Sequence, residues 1–227
     1  MGRNAVEAAP SDIRLIFMGT PEFAAVPMVR LHEMGFVVAG VVTAPDRPAG
    51  RGRKVQLSAV KVAAQERSLF LMQPKLIRNR PLIDRIRQLA PDFIVVVAYG
   101  KILPPMILSL PRYAAINLHP SLLPRYRGPA PVNWAVLRGE RYTGVTVIKM
   151  EDELDAGAMY LQERYPVPPR YPAGRLLMDL AEPGAALLAA AMLGIAAGEL
   201  HPTRQAHDQA SYAPMLTKEQ GRIDWRL

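Results

Sequence analysis

"DFIVVVAYG", residues 92–100, is apolar at every position from 93 to 99 and closes on a glycine. A strand covered on one face alternates apolar with polar residues, whereas a strand covered on both faces does not. The run therefore predicts a central parallel strand inside a layered α/β sheet. Toward the N-terminus, "IRLIFMGT" (13–20) predicts a buried first strand ending at Gly19. "PEFAAVPMVRLHEMG" (21–35) predicts a helix that opens near Pro21 and stops near Gly35, and "FVVAGVVT" (36–43) a second strand. "SAVKVAAQER" (58–67) reads as a helix, "LFLMQP" (69–74) as a short strand, and "PLIDRIRQLA" (81–90) as a helix with apolar residues at 82, 83, 86 and 89. Toward the C-terminus come a strand in "AAINLHP" (114–120), a short helix in "PVNWAVLRGE" (131–140), a strand in "TGVTVIKM" (143–150) and an extended segment in "AGAMYLQERYPV" (156–167). Residues 173–200 are helical in pattern, and Pro183-Gly184 predicts two helices or a kink there. Alternating strands and helices of this kind imply an α/β fold with a doubly wound, mostly parallel sheet and helices on both faces.

With 227 residues, half of them apolar, the chain can bury one large core. It has no cysteine, which excludes disulfides, thiolate nucleophiles and iron–sulfur ligation and removes the common zinc sites. The four histidines, His32, His119, His201 and His207, offer no i, i+4 pair, so no metal is expected. The longest apolar stretch, 185–197, falls short of the about 20 residues that cross a bilayer, and is expected to be a buried Ala-rich helix with no membrane partner. Residues 1–11 lack the apolar core of a secretion signal, carry Val6 where a myristoylation pattern wants Ser or Thr, and read as a disordered tail. Twenty-eight basic against twenty acidic residues give a formal net charge of +8, which admits an anionic partner where the excess clusters.

In doubly wound sheets ligands bind outside the carboxyl ends of the strands. "INLHPSLLPRYRGPAP" (116–131) puts Asn117 and His119 at such an end. Side chains at i and i+2 share a face of a strand, so these two converge while Leu118 points away. An imidazole exchanges a proton near neutrality, and an amide supplies a fixed N–H donor. The pair suits a transition state with negative charge on one oxygen, as in acyl or formyl transfer to an amine. No G-x-S-x-G elbow surrounds Ser121, so direct transfer between two bound substrates is expected. The carboxylate that orients such a histidine is sought in "EDELDAGAMY" (151–160). Asp155 precedes Ala156-Gly157, where glycine permits a close approach. Glu151, Asp152 and Glu153 read as a solvated acidic turn, and position alone does not separate the four.

Pro120, Pro124, Pro129 and Pro131 stiffen the segment after His119. Leu122 and Leu123 offer a ligand slot apolar contact, and Arg125 and Arg127 a charged mouth. The basic excess gathers in "DRPAGRGRKVQLSAVK" (46–61), where Arg47, Arg51, Arg53, Lys54 and Lys61 face the single acid Asp46. A Gly-bearing cationic loop without aromatic residues suits phosphate contact rather than base stacking. Gly50-Arg51-Gly52 lacks the third glycine of a nucleotide fingerprint.

The successive segments "IRLIFMGTPEFA", "APDRPAGRGRK", "PDFIVVVAYGKILP", "INLHPSLLPRYRGPAPVNWAVLRGE", "TGVTVIKMEDELDAGAMY" and "YAPMLTKEQGRIDW" resemble, in order and over nearly the whole chain, the methionyl-tRNA formyltransferase family. The Asn-x-His, the S-L-L-P loop and the later Asp are shared by the wider folate-dependent formyltransferase superfamily. The basic loop and the terminal G-R-I-D-W are narrower and point to the tRNA enzyme. The resemblance implies a Rossmann-like cytoplasmic enzyme, a monomer, that moves the formyl group of 10-formyltetrahydrofolate onto the α-amino group of methionyl initiator tRNA. It implies that Asn117 and His119 polarise the formyl oxygen and that Asp155 orients His119. It further implies that Ser121, Leu122, Leu123 and Pro124 bound the folate slot, and that Arg47, Arg51, Arg53 and Lys54 press on the tRNA acceptor arm. Family members continue past G-R-I-D-W into a C-terminal β-barrel. The expected layout is thus a tail (1–11), a catalytic domain (12–206) and a linker (207–227) toward a domain absent from this chain, with an intact chemical site and impaired tRNA affinity. A formyltransferase for a small amine and a non-catalytic RNA-binding domain are the alternative readings.

Overall fold

The elements follow the apolar periods of the sequence closely. A computed structural model describes residues 9–49, 54–223 and 225, with the backbone alone at 48, 49, 54 and 55. In order they are a 3-10 turn (Pro10–Asp12), β1 (Arg14–Gly19), α1 (Glu22–Glu33), β2 (Val37–Val42), the hairpin arms β3 (Arg47–Ala49) and β4 (Lys54–Gln56), and α2 (Ala59–Glu66). Then come β5 (Leu71–Met72), α3 (Arg80–Gln88), β6 (Phe93–Val97), α4 (Pro105–Leu108), β7 (Ala114–His119), α5 (Pro131–Leu137), β8 (Tyr142–Lys149), β9 (Met159–Pro166), α6 (Ala173–Asp179) and α7 (Ala181–Ala196). Pro10 and Ser11, read from sequence as part of a tail, lie in the 3-10 turn. Residues 1–8 lie outside the described residues.

Seven strands form one sheet in the order β5-β2-β1-β6-β7-β8-β9. The first five of these are parallel, and β8 and β9 run antiparallel to their preceding neighbours. All five residues of β6 are buried, because its two faces meet different cores. Phe93, Val95 and Val97 join α1, α2, α6 and α7, while Ile94 and Val96 join α3 and α4. Burial of each large apolar side chain contributes roughly 1.5–3 kcal/mol, so a charge at Val95, which has no polar partner nearby, would unseat the sheet.

Residues 173–200 do divide into two helices, but the junction falls at Leu180, before the proline. Pro183 has no N–H to give the carbonyl of residue 179 and its ring crowds that carbonyl, so the break precedes it by about one turn. Gly184 N–H donates to the Leu180 carbonyl at 3.0 Å and starts the second helix. Ala173–Ala196 together are long and apolar enough for a bilayer by length and composition, and more than half of their most apolar 18-residue window is buried within the protein. Arg30 of α1 holds Glu182 of α7 at 2.8 Å.

In the stretch after β2 that sequence reads as irregular, β3 and β4 pair antiparallel, with Arg47 opposite Gln56. Residues 50–53, including Arg51 and Arg53, lie outside the described residues, as does the side chain of Lys54. Arg47 is exposed. Lys61, counted from sequence among the free cations, is instead bonded to Asp46, and its side chain is largely covered.

Candidate active site

The parity of β7 builds the site. Ala114, Ile116 and Leu118 face one core and Ala115 the other. Asn117 and His119 share the Ala115 face but lie beyond the last apolar layer, over the carboxyl ends of β1 and β6, where the strand order reverses. A cavity of about 510 Å³ opens there. Its walls include Pro21 and Phe23 after β1, Val96 and residues 98–103 at and after β6, Asn117, His119 and Pro120, and residues 150–155 after β8. Asn117 makes no side-chain hydrogen bond among the described residues, which leaves its amide for a ligand.

His119 is buried, and its Nε2 lies 2.8 Å from the Tyr126 carbonyl. A carbonyl can only accept, so Nε2 carries the hydrogen and Nδ1 holds the lone pair in the neutral ring. Nδ1 faces Asp155 Oδ2 at 3.6 Å, within ion-pair range but beyond a hydrogen bond. A proton arriving at Nδ1 would therefore sit beside a carboxylate. Burial separates the four acids that sequence left open: Glu151, Asp152 and Glu153 are exposed, whereas the Asp155 side chain is 10% exposed and accepts from Gly128 N–H at 2.9 Å.

Backbone conformation concentrates here. Ala98, Tyr126 and Asp155 all have positive φ (46°, 61° and 53°) without being glycine. Such residues persist only where surrounding contacts hold them, commonly at functional sites. Gly157 supplies the close approach expected of it, because a Cβ there would stand 1.8 Å from the Lys149 carbonyl oxygen. Tyr99, on the cavity wall, keeps its hydroxyl buried without a partner among the described residues, and burial pushes its pKa up to about 12. Lys101 sends its ammonium to the carbonyls of Pro74 and Lys75 at 3.0 and 3.2 Å. Burial, then the charge of Arg47, lowers its pKa.

Ser121, Leu122, Leu123 and Pro124 continue directly from Pro120 of the cavity wall. They are pinned to the sheet: Thr146 Oγ1 donates to the Ser121 carbonyl at 2.7 Å, Gln162 donates to the Leu123 carbonyl at 3.0 Å, and Ser121 Oγ donates to the Arg125 carbonyl at 2.7 Å. One sequence expectation is corrected: Arg125 and Arg127 form no charged mouth. Arg125 is bonded to Glu140, and Arg127 is almost fully buried against Gln205. The segment 207–214 is tied along this loop, with Arg127 N–H on the Ser211 carbonyl at 2.8 Å and Ala213 N–H on the Arg127 carbonyl at 2.7 Å. Gln205, Thr146, Gln162 and Ser211 carried no signal in the sequence, since isolated polar residues acquire these roles only through chain crossings.

An imidazole, an amide and a carboxylate thus gather on one wall of a switch-point cavity in a Rossmann-like fold, the setting of a group-transfer enzyme. The formyl transferase family model matches residues 13–192. A methionyl-tRNA formyltransferase from Caldanaerobacter subterraneus subsp. tengcongensis is 45% identical over 215 residues, covering 94% of this chain and 70% of that protein. Among solved structures, a phosphoribosylglycinamide formyltransferase from Bacillus halodurans aligns with TM-score 0.65 at 17% identity, over 79% of this chain and 93% of its own. HypX from Aquifex aeolicus in complex with tetrahydrofolic acid aligns with TM-score 0.69 at 19% identity, over 94% of this chain and 31% of its own. The chain belongs to the formyl transferase family, within its methionyl-tRNA formyltransferase branch, and is a formyl-transferring enzyme.

Proposed function

We propose that the enzyme takes the formyl group of 10-formyltetrahydrofolate and delivers it to the α-amino group of methionine carried by initiator tRNA. The observation that carries this reading is the convergence of Asn117, His119 and Asp155 on one cavity wall. In the proposed reaction a C–N bond forms between the amine and the formyl carbon, and the bond from that carbon to the folate nitrogen breaks. The Asn117 amide donates to the formyl oxygen as negative charge gathers on it. His119 Nδ1 takes the proton released by the amine and returns one to the departing nitrogen. Asp155 stabilises the transient imidazolium, and the Tyr126 carbonyl holds the ring so that Nδ1 is the working nitrogen.

The cavity lies within the size range of small-molecule sites. Its apolar walls at Val96, Leu103 and Ile148, beside the backbone of residues 98–101, suit a flat heterocycle with a polar edge. The proposed folate slot runs from these walls to the adjoining loop of Ser121, Leu122, Leu123 and Pro124. Arg47, with Arg51, Arg53 and Lys54, is proposed to contact tRNA phosphates from the hairpin after β2.

The test is incubation with 10-formyltetrahydrofolate and charged initiator tRNA, with formylmethionine read by mass. Product on tRNA is expected. Formylation of a small amine in preference to methionyl-tRNA would overturn the substrate assignment.

A further inference from the structure

Gln205 follows α7 on a segment where Thr203 and Met159 exchange two backbone hydrogen bonds of 2.8 Å. Its side chain is buried, and both of its polar atoms are used. Nε2 donates to the carbonyls of Asp155 at 2.8 Å and Gly157 at 2.7 Å. Oε1 accepts from Arg127 Nε at 3.0 Å and Nη2 at 2.8 Å. One amide thus joins the two loops of the site. Asp155 and Gly157 belong to the loop after β8, while Arg127 precedes Gly128, whose N–H holds the Asp155 carboxylate.

The contacts are matched to a backbone that needs them. Asp155 has φ +53°, a conformation that an L residue keeps only under outside restraint. The two carbonyls that Gln205 grips are those of Asp155 itself and of the glycine two residues on. Arg127, for its part, is a nearly buried cation whose close partners are neutral. Its nearest carboxylate oxygen, Glu153 Oε1, is 3.8 Å away on an exposed side chain, and His207 Nδ1 is at 3.3 Å. Burying a charge this way adds little stability. It does fix the far side of the Gln205 amide, so that both N–H groups can aim only at the Asp155 loop.

We propose that Gln205 is a positioning residue for formyl transfer, which sets the Asp155 carboxylate against His119 Nδ1 by holding the backbone carbonyls of Asp155 and Gly157. This rests on the reading of His119 and Asp155 as the reacting pair. Gln205 touches no substrate and acts only through Asp155.

The test is a double-mutant cycle between Gln205→Met and Asp155→Asn, assayed by formylmethionyl-tRNA formation. Gln205→Met keeps the volume and removes the clamp. Its kcat is expected to fall about 10- to 100-fold, with KM for both substrates within about two-fold of wild type. In the Asp155→Asn background the same change is expected to cost less than about two-fold, because the carboxylate it serves is gone. Gln205→Glu keeps the Arg127 contact but loses donors to the carbonyls; it should repeat the result and remains readable if the methionine protein does not fold. Trp134→Phe deletes the Trp134 Nε1 bond to the Pro214 carbonyl on the same strap. It should lower the thermal midpoint while kcat stays within about two-fold of wild type. Equal losses in both backgrounds, or full kcat in both Gln205 variants, would overturn the proposal and leave the site reading intact. A fully active Asp155→Asn protein would overturn the site reading itself, and the role of Gln205 with it.

Discussion

The segments that leave β7 and β2 start from the same edge of one sheet. After β7, residues 120–130 are bonded to β8, β9 and the 205–214 strap, and His119 ends with one ring nitrogen committed to a carbonyl. After β2, the chain is held at its base, where Asp46 accepts from Lys61 and from Gln73 at 2.8 Å, and Arg47 beyond it is exposed. Under the proposed function the contrast follows from what each segment would do. Bond-making requires groups fixed to a fraction of an ångström. Attraction to a phosphate backbone works over several ångströms, so anchoring the base of the hairpin would be enough.

The largest effect that can break this comparison is at His119. His119→Ala is expected to lower kcat about 100- to 10,000-fold, with tRNA affinity near wild type in a filter-binding assay. A parallel collapse of tRNA binding would mean that the rigid segment does the binding as well. A middle-sized effect is expected at the hairpin. Changing Arg51, Arg53 and Lys54 together to Ala should weaken tRNA binding about tenfold or more and flatten the dependence of log K on log salt by about 2 to 3. The KM for the folate should not move, and a matching rise in it would erase the division between the two segments.

The smallest effect sharpens the base of the hairpin. The Lys61 hydrogen bond first, then that of Gln73, lowers the Asp46 pKa below the usual carboxylate range. A lowered folded-state value means that the carboxylate stabilises the fold above its unfolded pKa, and that the contribution fades as pH falls through the lowered one. Asp46→Asn should therefore melt earlier than wild type at neutral pH, and the gap in thermal midpoint should close as pH falls below the usual carboxylate range. A gap that persists in acid would assign the loss to packing.

Much of the fold was legible because burial leaves a period. β6 is apolar on every residue since helices cover both faces, and α3 shows its spaced apolar stripe because only one side meets a core. Asn117 and His119 were legible as a pair for the same reason, since strand parity is local. Asp155 could only be shortlisted, because four acids share its turn and none differs in sequence chemistry. The proposed slot residues Ser121, Leu122, Leu123 and Pro124 pose a related problem, since apolar residues in a stiff loop read alike whether they face a cavity or the sheet beneath.

The sequence by itself determined the alternation of elements, the strand end that carries the amide and imidazole, and the gathering of positive charge after β2. These are properties of neighbours along the chain, and the backbone period converts them directly into faces. Only the tertiary structure decided which acid meets His119, which ring nitrogen is free to react, and that Arg127 and Gln205 lock two loops together. Such choices depend on distances between residues up to 78 positions apart, and no local period encodes them.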